Sequence, residues 1–220
     1  MRTLVVAPHP DDEVLGVGGT LLRRKSEGAV IGWLIVTGIS TDFGWTEESV
    51  RLRNSEIEKI TEIFSFDEVY KLGFPTTKLD TLPMGDLISK ISSCIKTFEP
   101  EELFIPHSCD VHSDHRIVFD SVVSCTKWFR YPFVKRILAY ETLSETDFSI
   151  SFIKSFNPNV FIDISKHLET KLKAMDVYES ELGNFPFPRS HKAIVALANT
   201  RGASSGYIAA EAFELLRERC

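Results

Sequence analysis

Short apolar runs alternate with amphipathic stretches along the first two thirds of the chain. Thr3–Pro8, Ala29–Thr37, Glu68–Leu72, Leu103–Pro106 and Arg136–Tyr140 are short apolar runs, the first of them ended by a proline, which predicts strands. Between them, Val14–Lys25, Glu47–Phe64, Asp86–Phe98 and His115–Trp128 place apolar residues at helical spacing, which predicts helices. Strand and helix in strict alternation predict an α/β fold with a mostly parallel sheet and helices on both faces. The last third is less regular. Val160–Ile164 reads as a further strand and Lys166–Leu182 as one long helix, with Leu168, Leu172, Met175 and Tyr178 on a face. Phe185-Pro186-Phe187-Pro188 then breaks the pattern, a helix through Ile194 and Leu197 follows, and Ala209–Leu216 fits helix and strand equally well. No linker divides the 220 residues, so residues 1–220 are expected to form a single domain.

Charge and cysteine usage narrow the function classes. A net charge of -6 argues against a nucleic-acid or anionic-membrane surface. No apolar stretch reaches the ~18 residues of an integral membrane span, and the N-terminal run is too short for a signal peptide. Cys94, Cys109, Cys125 and Cys220 are widely spaced, as reduced thiols in a cytoplasmic protein would be. Homo-oligomerisation is open at this level.

The chemistry concentrates just past two of the strands. His9-Pro10-Asp11-Asp12-Glu13 follows the first, and Asp110-Val111-His112-Ser113-Asp114-His115 follows the fourth. Ligands of open α/β sheets bind outside the carboxyl ends of strands, so the two clusters share one crevice if their strands are neighbours. His9, Asp12 and His115 make the two-histidine, one-carboxylate set that zinc takes in hydrolytic sites, with a coordination position left open. The same set accepts Fe2+, Co2+ or Ni2+. Asp11, beside ligand Asp12, is then free as a general base on a water that such a metal acidifies to a pKa of about 7. His112, three residues before His115, is expected to stabilise a developing oxyanion in its protonated form. Asp114 is expected to fix a histidine tautomer from behind.

Simpler roles compete for some of these residues. Asp11 or Asp12 alone suits a helix cap, and Glu13 suits the helix dipole. Gly16-Val17-Gly18-Gly19 imitates a dinucleotide fingerprint, but Leu21 stands where the third glycine belongs and the run lies inside the helix. These glycines are expected to let the helix approach the sheet. Around the crevice, Arg53 is the candidate substrate-binding residue, with a guanidinium suited to a hydroxyl or phosphate. Asp42, Phe43, Trp45, Glu141 and Arg189 are weaker candidates for its walls.

Ala7-Pro8-His9-Pro10-Asp11-Asp12-Glu13 together with His112-Ser113-Asp114-His115 resembles the PIG-L/LmbE-like de-N-acetylases. Gly16, Gly19-Thr20-Leu21, Arg53 with Glu56, Tyr140-Glu141-Thr142, Arg201-Gly202 and Ala210-Glu211-Ala212-Phe213 extend the resemblance over nearly the whole chain. It implies a Rossmann-like fold and zinc-dependent removal of an N-acetyl group, usually from a glucosamine-type sugar. In that reading His9, Asp12 and His115 are ligands, Asp11 is the base, and His112 with Asp114 behind it polarises the oxyanion. Some members carry a Tyr two residues before the first histidine of the second motif, where this chain has Asp110. The expected partner is a small N-acetylated sugar. An amidase acting on another acylated amine, a metal- or nucleotide-binding module and a metal-dependent phosphoesterase are the alternatives.

Overall fold

The computed structural model describes residues 1–150 and 155–220. β1 (Arg2–Ala7), α1 (Asp12–Ser26), β2 (Val30–Gly38), α2 (Glu47–Phe64), β3 (Glu68–Pro75), α3 (Met84–Phe98), β4 (Glu102–Pro106), α4 (Ser113–Ser124) and β5 (Arg136–Tyr140) follow the predicted alternation. β6 (Val160–Asp163), α5 (Leu168–Met175), α6 (His191–Ala203) and β7 (Ala210–Glu218) complete the fold. One seven-stranded sheet runs β3-β2-β1-β4-β5-β7-β6. β1 to β5 pair in parallel, whereas β7 is antiparallel to both of its neighbours. The described residues therefore form a single α/β domain with a mostly parallel sheet.

Period-two alternation along the strands makes two cores. Val5 and Ala7 of β1, Ile31, Trp33 and Ile35 of β2, Phe104 of β4 and Tyr140 of β5 face the layer that holds α1, α2 and α5. Leu4 and Val6, Leu34 and Val36, and Leu103 and Ile105 face α3 and α4. Both faces are covered, so β1 reads as a continuous apolar run. The glycines of α1 do bring that helix close to its neighbours. A Cβ on Gly16 would run into the Tyr140 ring, and one on Gly19 would sit 2.6 Å from Ile164.

Two helices differ from the sequence reading. The stretch Lys166–Leu182 is α-helical only over Leu168–Met175, with a separate 3-10 turn at Glu179–Glu181. Tyr178 continues the apolar spacing but leaves the helix, at φ -90 and ψ 60, and buries its ring while its hydroxyl donates to Glu13 at 2.8 Å. Apolar spacing thus outlasted the helix because a turn residue is also a core residue. α4 begins two residues before His115 and ends at Ser124, short of the exposed Trp128.

The ambiguous tail is a strand. Glu211 shares the face of Phe213, which packs on Phe104 with ring centroids 4.9 Å apart. A charged residue on that buried face masks the alternation. Both Glu211 oxygens are occupied inside the fold: they accept from the backbone of Gly19 and Thr20 and from Lys171.

Candidate active site

β1 and β4 are parallel neighbours, with Leu4 opposite Leu103 and Val5 opposite Phe104. The chain leaves β1 towards β2 and β3 on one side and returns to β4 on the other. That makes β1/β4 the switch point of the sheet, where a crevice opens. The two motifs therefore meet above it, around a cavity of about 210 Å³ whose lining includes His9, Asp11, Asp12, His112 and His115.

The turn after β1 is tied down from several sides. The Pro8 carbonyl accepts from both the backbone and the hydroxyl of Thr37. Asp11 sits at the N-cap position of α1 with φ 136, a left-handed backbone that costs a non-glycine residue about 1–3 kcal/mol. The backbone N–H of Asp11 donates to Glu13 Oε2, and the Asp11 carbonyl accepts from Val14 and Leu15. Its side chain makes no capping bond. The carboxylate instead faces the cavity and accepts from Arg189 at 3.0 Å. The cap position is thus occupied while the carboxylate remains available for chemistry. Glu13 is a buried brace: burial pushes its carboxyl up to about 8.

His9, Asp12 and His115 converge. Asp12 Oδ2 lies 3.4 Å from His9 Nδ1 and 3.3 Å from His115 Nε2, and one donor atom from each residue lies within 4.8 Å of the others. In a second grouping, His9 with His112 and Asp114, the Asp114 oxygens and His112 Nδ1 are committed elsewhere. Asp114 accepts from the backbone of Thr77 and Leu79 as well as meeting His9, and His112 Nδ1 accepts from the Asp114 backbone. The first trio fits a divalent metal by its donor types and by its support. The other ring nitrogen of each histidine meets a buried carboxylate, His9 Nε2 with Asp114 at 3.1 Å and His115 Nδ1 with Asp110 at 2.8 Å. This is the carboxylate–histidine arrangement that orients metal ligands.

Two expectations change here. Asp114 stands behind His9 and not behind His112, because its side chain turns back under the β1 turn while only its backbone N–H reaches His112. His112 is also neutral. Burial and the charges of His9 and His115 push it down to about 4. With Nδ1 accepting from Asp114, its proton sits on Nε2.

The charge pattern of the trio follows from the same contacts. Burial works to depress His9, but its bonds to Asp114 and Asp12 prevail and lift it to about 9. Burial also opposes the charged form of His115, yet Asp12 and Asp110 lift it to about 10. Burial would raise Asp12, but His115 and His9 hold it well below the usual carboxylate range. Asp11 goes the other way: burial and the adjacent Asp12 push it up to about 7, against the pull of Arg189. Neighbouring carboxylates with opposed values mark separate tasks.

The wall contains residues that the sequence reading missed or placed low. Arg189 donates to Asp11, to Glu181 at 2.9 Å and to Glu145 at 3.4 Å. Arg53 does line the cavity, and it donates to the Pro10 carbonyl and to Glu181 at 3.1 Å. Glu145 also accepts from the His112 backbone. Trp45 reaches the cavity, whereas Asp42 and Phe43 do not line it. Glu141 points elsewhere and pairs with Arg201 through both oxygens. Asp110 carried a usable signal, an acid five residues before a candidate ligand. Glu145 and Glu181 sit in no motif.

Comparison with known proteins agrees with the resemblance that the two motifs carry. The family model described as PIG-L, GlcNAc-PI de-N-acetylase, matches residues 4–126. Diacetylchitobiose deacetylase of Thermococcus kodakarensis is 27% identical over 188 residues, which cover 82% of this chain and 70% of that protein. The probable N-acetyl-alpha-D-glucosaminyl L-malate deacetylase 2 of Bacillus anthracis is 23% identical over 195 residues, covering 82% and 81%. The crystal structure of a conserved protein from Thermus thermophilus, TT1542, superposes with a TM-score of 0.77 at 27% identity, over 99% of this chain and 96% of that one. The matched region spans both motifs and more than half of the sequence, so the chain belongs to the PIG-L family.

Proposed function

We propose that this protein is a metal-dependent hydrolase that removes the N-acetyl group from an N-acetylated amino sugar or sugar conjugate and releases acetate. The observation that carries the reading is Asp11: a buried carboxylate on the cavity floor, free of capping duty, beside a trio of metal-type donors. Membership of a family described as a de-N-acetylase supports it, as do relatives named as deacetylases of diacetylchitobiose and of a glucosaminyl malate.

His9, Asp12 and His115 would hold the metal, with zinc the first candidate for two imidazoles and a carboxylate and iron, cobalt or nickel also suited. When bound, the metal would polarise the acetamide carbonyl and acidify water. Asp11 takes a proton from the attacking water as the new C–O bond forms. His112 Nε2–H donates to the carbonyl oxygen as negative charge gathers there. Asp114 and Asp110 keep His9 and His115 oriented. The C–N bond then breaks, Asp11 returns its proton to the departing nitrogen, and acetate and a free amine leave. Arg53 and Arg189 belong to the wall against which the sugar packs, and Trp45 offers an aromatic face there. No described helix is long and apolar enough to cross a membrane. All four cysteines are free thiols, which supports a reducing, cytoplasmic setting.

Acetate release by the zinc-loaded protein from a panel of N-acetylated sugars and sugar conjugates, with a chelated control, tests the reading. Chelator-sensitive release from at least one sugar is the expected result. Release from acylated amines outside the sugars alone, or from nothing, contradicts it.

A further inference from the structure

The cations of the cavity wall are already matched. Among the described residues, Arg53 and Arg189 are the only arginines that line it, and no lysine does. Glu181 lies between them, one oxygen accepting from Arg53 at 3.1 Å and the other from Arg189 at 2.9 Å. A carboxylate bridging two guanidiniums is the arrangement by which a protein would hold a substrate carboxylate or phosphate. Here the anion comes from the chain itself. The remaining donors that the structure records are also committed, those of Arg53 to the Pro10 carbonyl and those of Arg189 to Asp11, Glu145 and the Ser144 hydroxyl. An anionic substrate group entering here would meet a surplus of carboxylates and would have to displace Glu181.

We infer that Glu181 is a specificity-determining residue that occupies the arginine pair as an internal anion and restricts the site to substrates uncharged next to the acetamide-bearing sugar. The substrate class is therefore a neutral N-acetylated glycoside, not one bearing a carboxylate or phosphate on the adjoining unit. This inference rests on the deacetylase reading above. Discrimination arises from what the site repels as much as from what it binds. Glu181 is only half-buried, on the short turn Glu179–Glu181, so its replacement disturbs no core packing.

The test compares the metal-loaded wild type with Glu181→Gln in two ways. The first is kcat/KM for a neutral N-acetylglucosamine disaccharide against carboxylated and phosphorylated N-acetylglucosamine derivatives. The wild type is expected to favour the neutral sugar, and the variant is expected to shift the ratio towards the anionic ones by about tenfold or more, the worth of one charge-assisted hydrogen bond. The second is calorimetric titration with inorganic phosphate. The variant should bind it about tenfold more tightly by the same arithmetic, and Arg53→Gln in the Glu181→Gln background should erase that gain. The Arg53→Gln, Glu181→Gln double variant keeps the His9, Asp12 and His115 trio, so the phosphate it still binds marks the part held at the metal. A wild type that turns over an anionic sugar at least as well as the neutral one overturns the inference and leaves the deacetylase reading standing. Equal phosphate affinity in wild type and variant also overturns it. Absence of acetate release from every sugar contradicts the deacetylase reading instead, and the phosphate titration then decides the role of Glu181 by itself.

Discussion

The floor and the wall of the cavity are built in opposite ways. The floor comes from two short segments, residues 9–13 and 110–115, each launched from the end of a buried parallel strand. Its groups are displaced far from their ordinary protonation, with His9 lifted to about 9, Asp11 to about 7 and His112 lowered to about 4. The wall is assembled from residues 53, 145, 181 and 189, which come from separate segments and hold one another in ion pairs. The difference teaches a division of labour. Buried, perturbed groups on rigid strand ends are suited to chemistry. Paired charges on surrounding segments are suited to deciding what reaches it.

The largest expected effect removes a proposed metal ligand from the floor. His115→Ala should lose bound metal and, with it, acetate release. Metal content after gel filtration checks this, and a variant that keeps one metal per chain would break the ligand assignment. A smaller effect is expected one contact further out. Asp110→Asn should weaken metal affinity or activity by about 10–100-fold, the usual cost of removing a carboxylate behind a histidine ligand. Competition against a chromogenic chelator measures the affinity.

The pH dependence of metal binding sharpens the contrast further. His9 and His115 have raised values, so both hold protons at neutral pH when protein groups alone surround them, and a metal must displace those protons. Affinity should therefore rise with pH and level off only as pH passes about 9 to 10. An affinity that stays flat from pH 6 to 9 (an interval of about three tenfold steps in proton activity) would contradict the protonation pattern of the floor. The smallest effect concerns the support of the floor. Gly16→Ala drives a methyl into Tyr140, whose buried hydroxyl donates to the Val6 carbonyl. It should cost about 1–3 kcal/mol, a fall in Tm of roughly 2–4 °C for each kcal/mol in a domain of this size.

Legibility in the sequence follows the same division. The central strands β1, β2 and β4 are readable because burial on both faces makes them continuous apolar runs. The floor was readable because its residues stand next to one another in two motifs. The resemblance implies Asp114 behind His112, but nothing in the sequence shows that its side chain turns back to His9 while only its backbone meets His112. The end of α5 was missed because Tyr178 keeps helical spacing while serving the core from a turn. The strand β7 was hidden by Glu211, whose charge is satisfied by the backbone of α1 and by Lys171. Glu145, Glu181 and Arg189 are ordinary loop residues in sequence, and only the fold joins them to Asp11.

The most direct test of the central claim is acetate release by Asp11→Asn, measured beside its metal content. The account predicts a variant that binds metal like the wild type and loses about 10²–10⁴ in rate, the span of a missing general base. A variant with full metal content and wild-type turnover would contradict it.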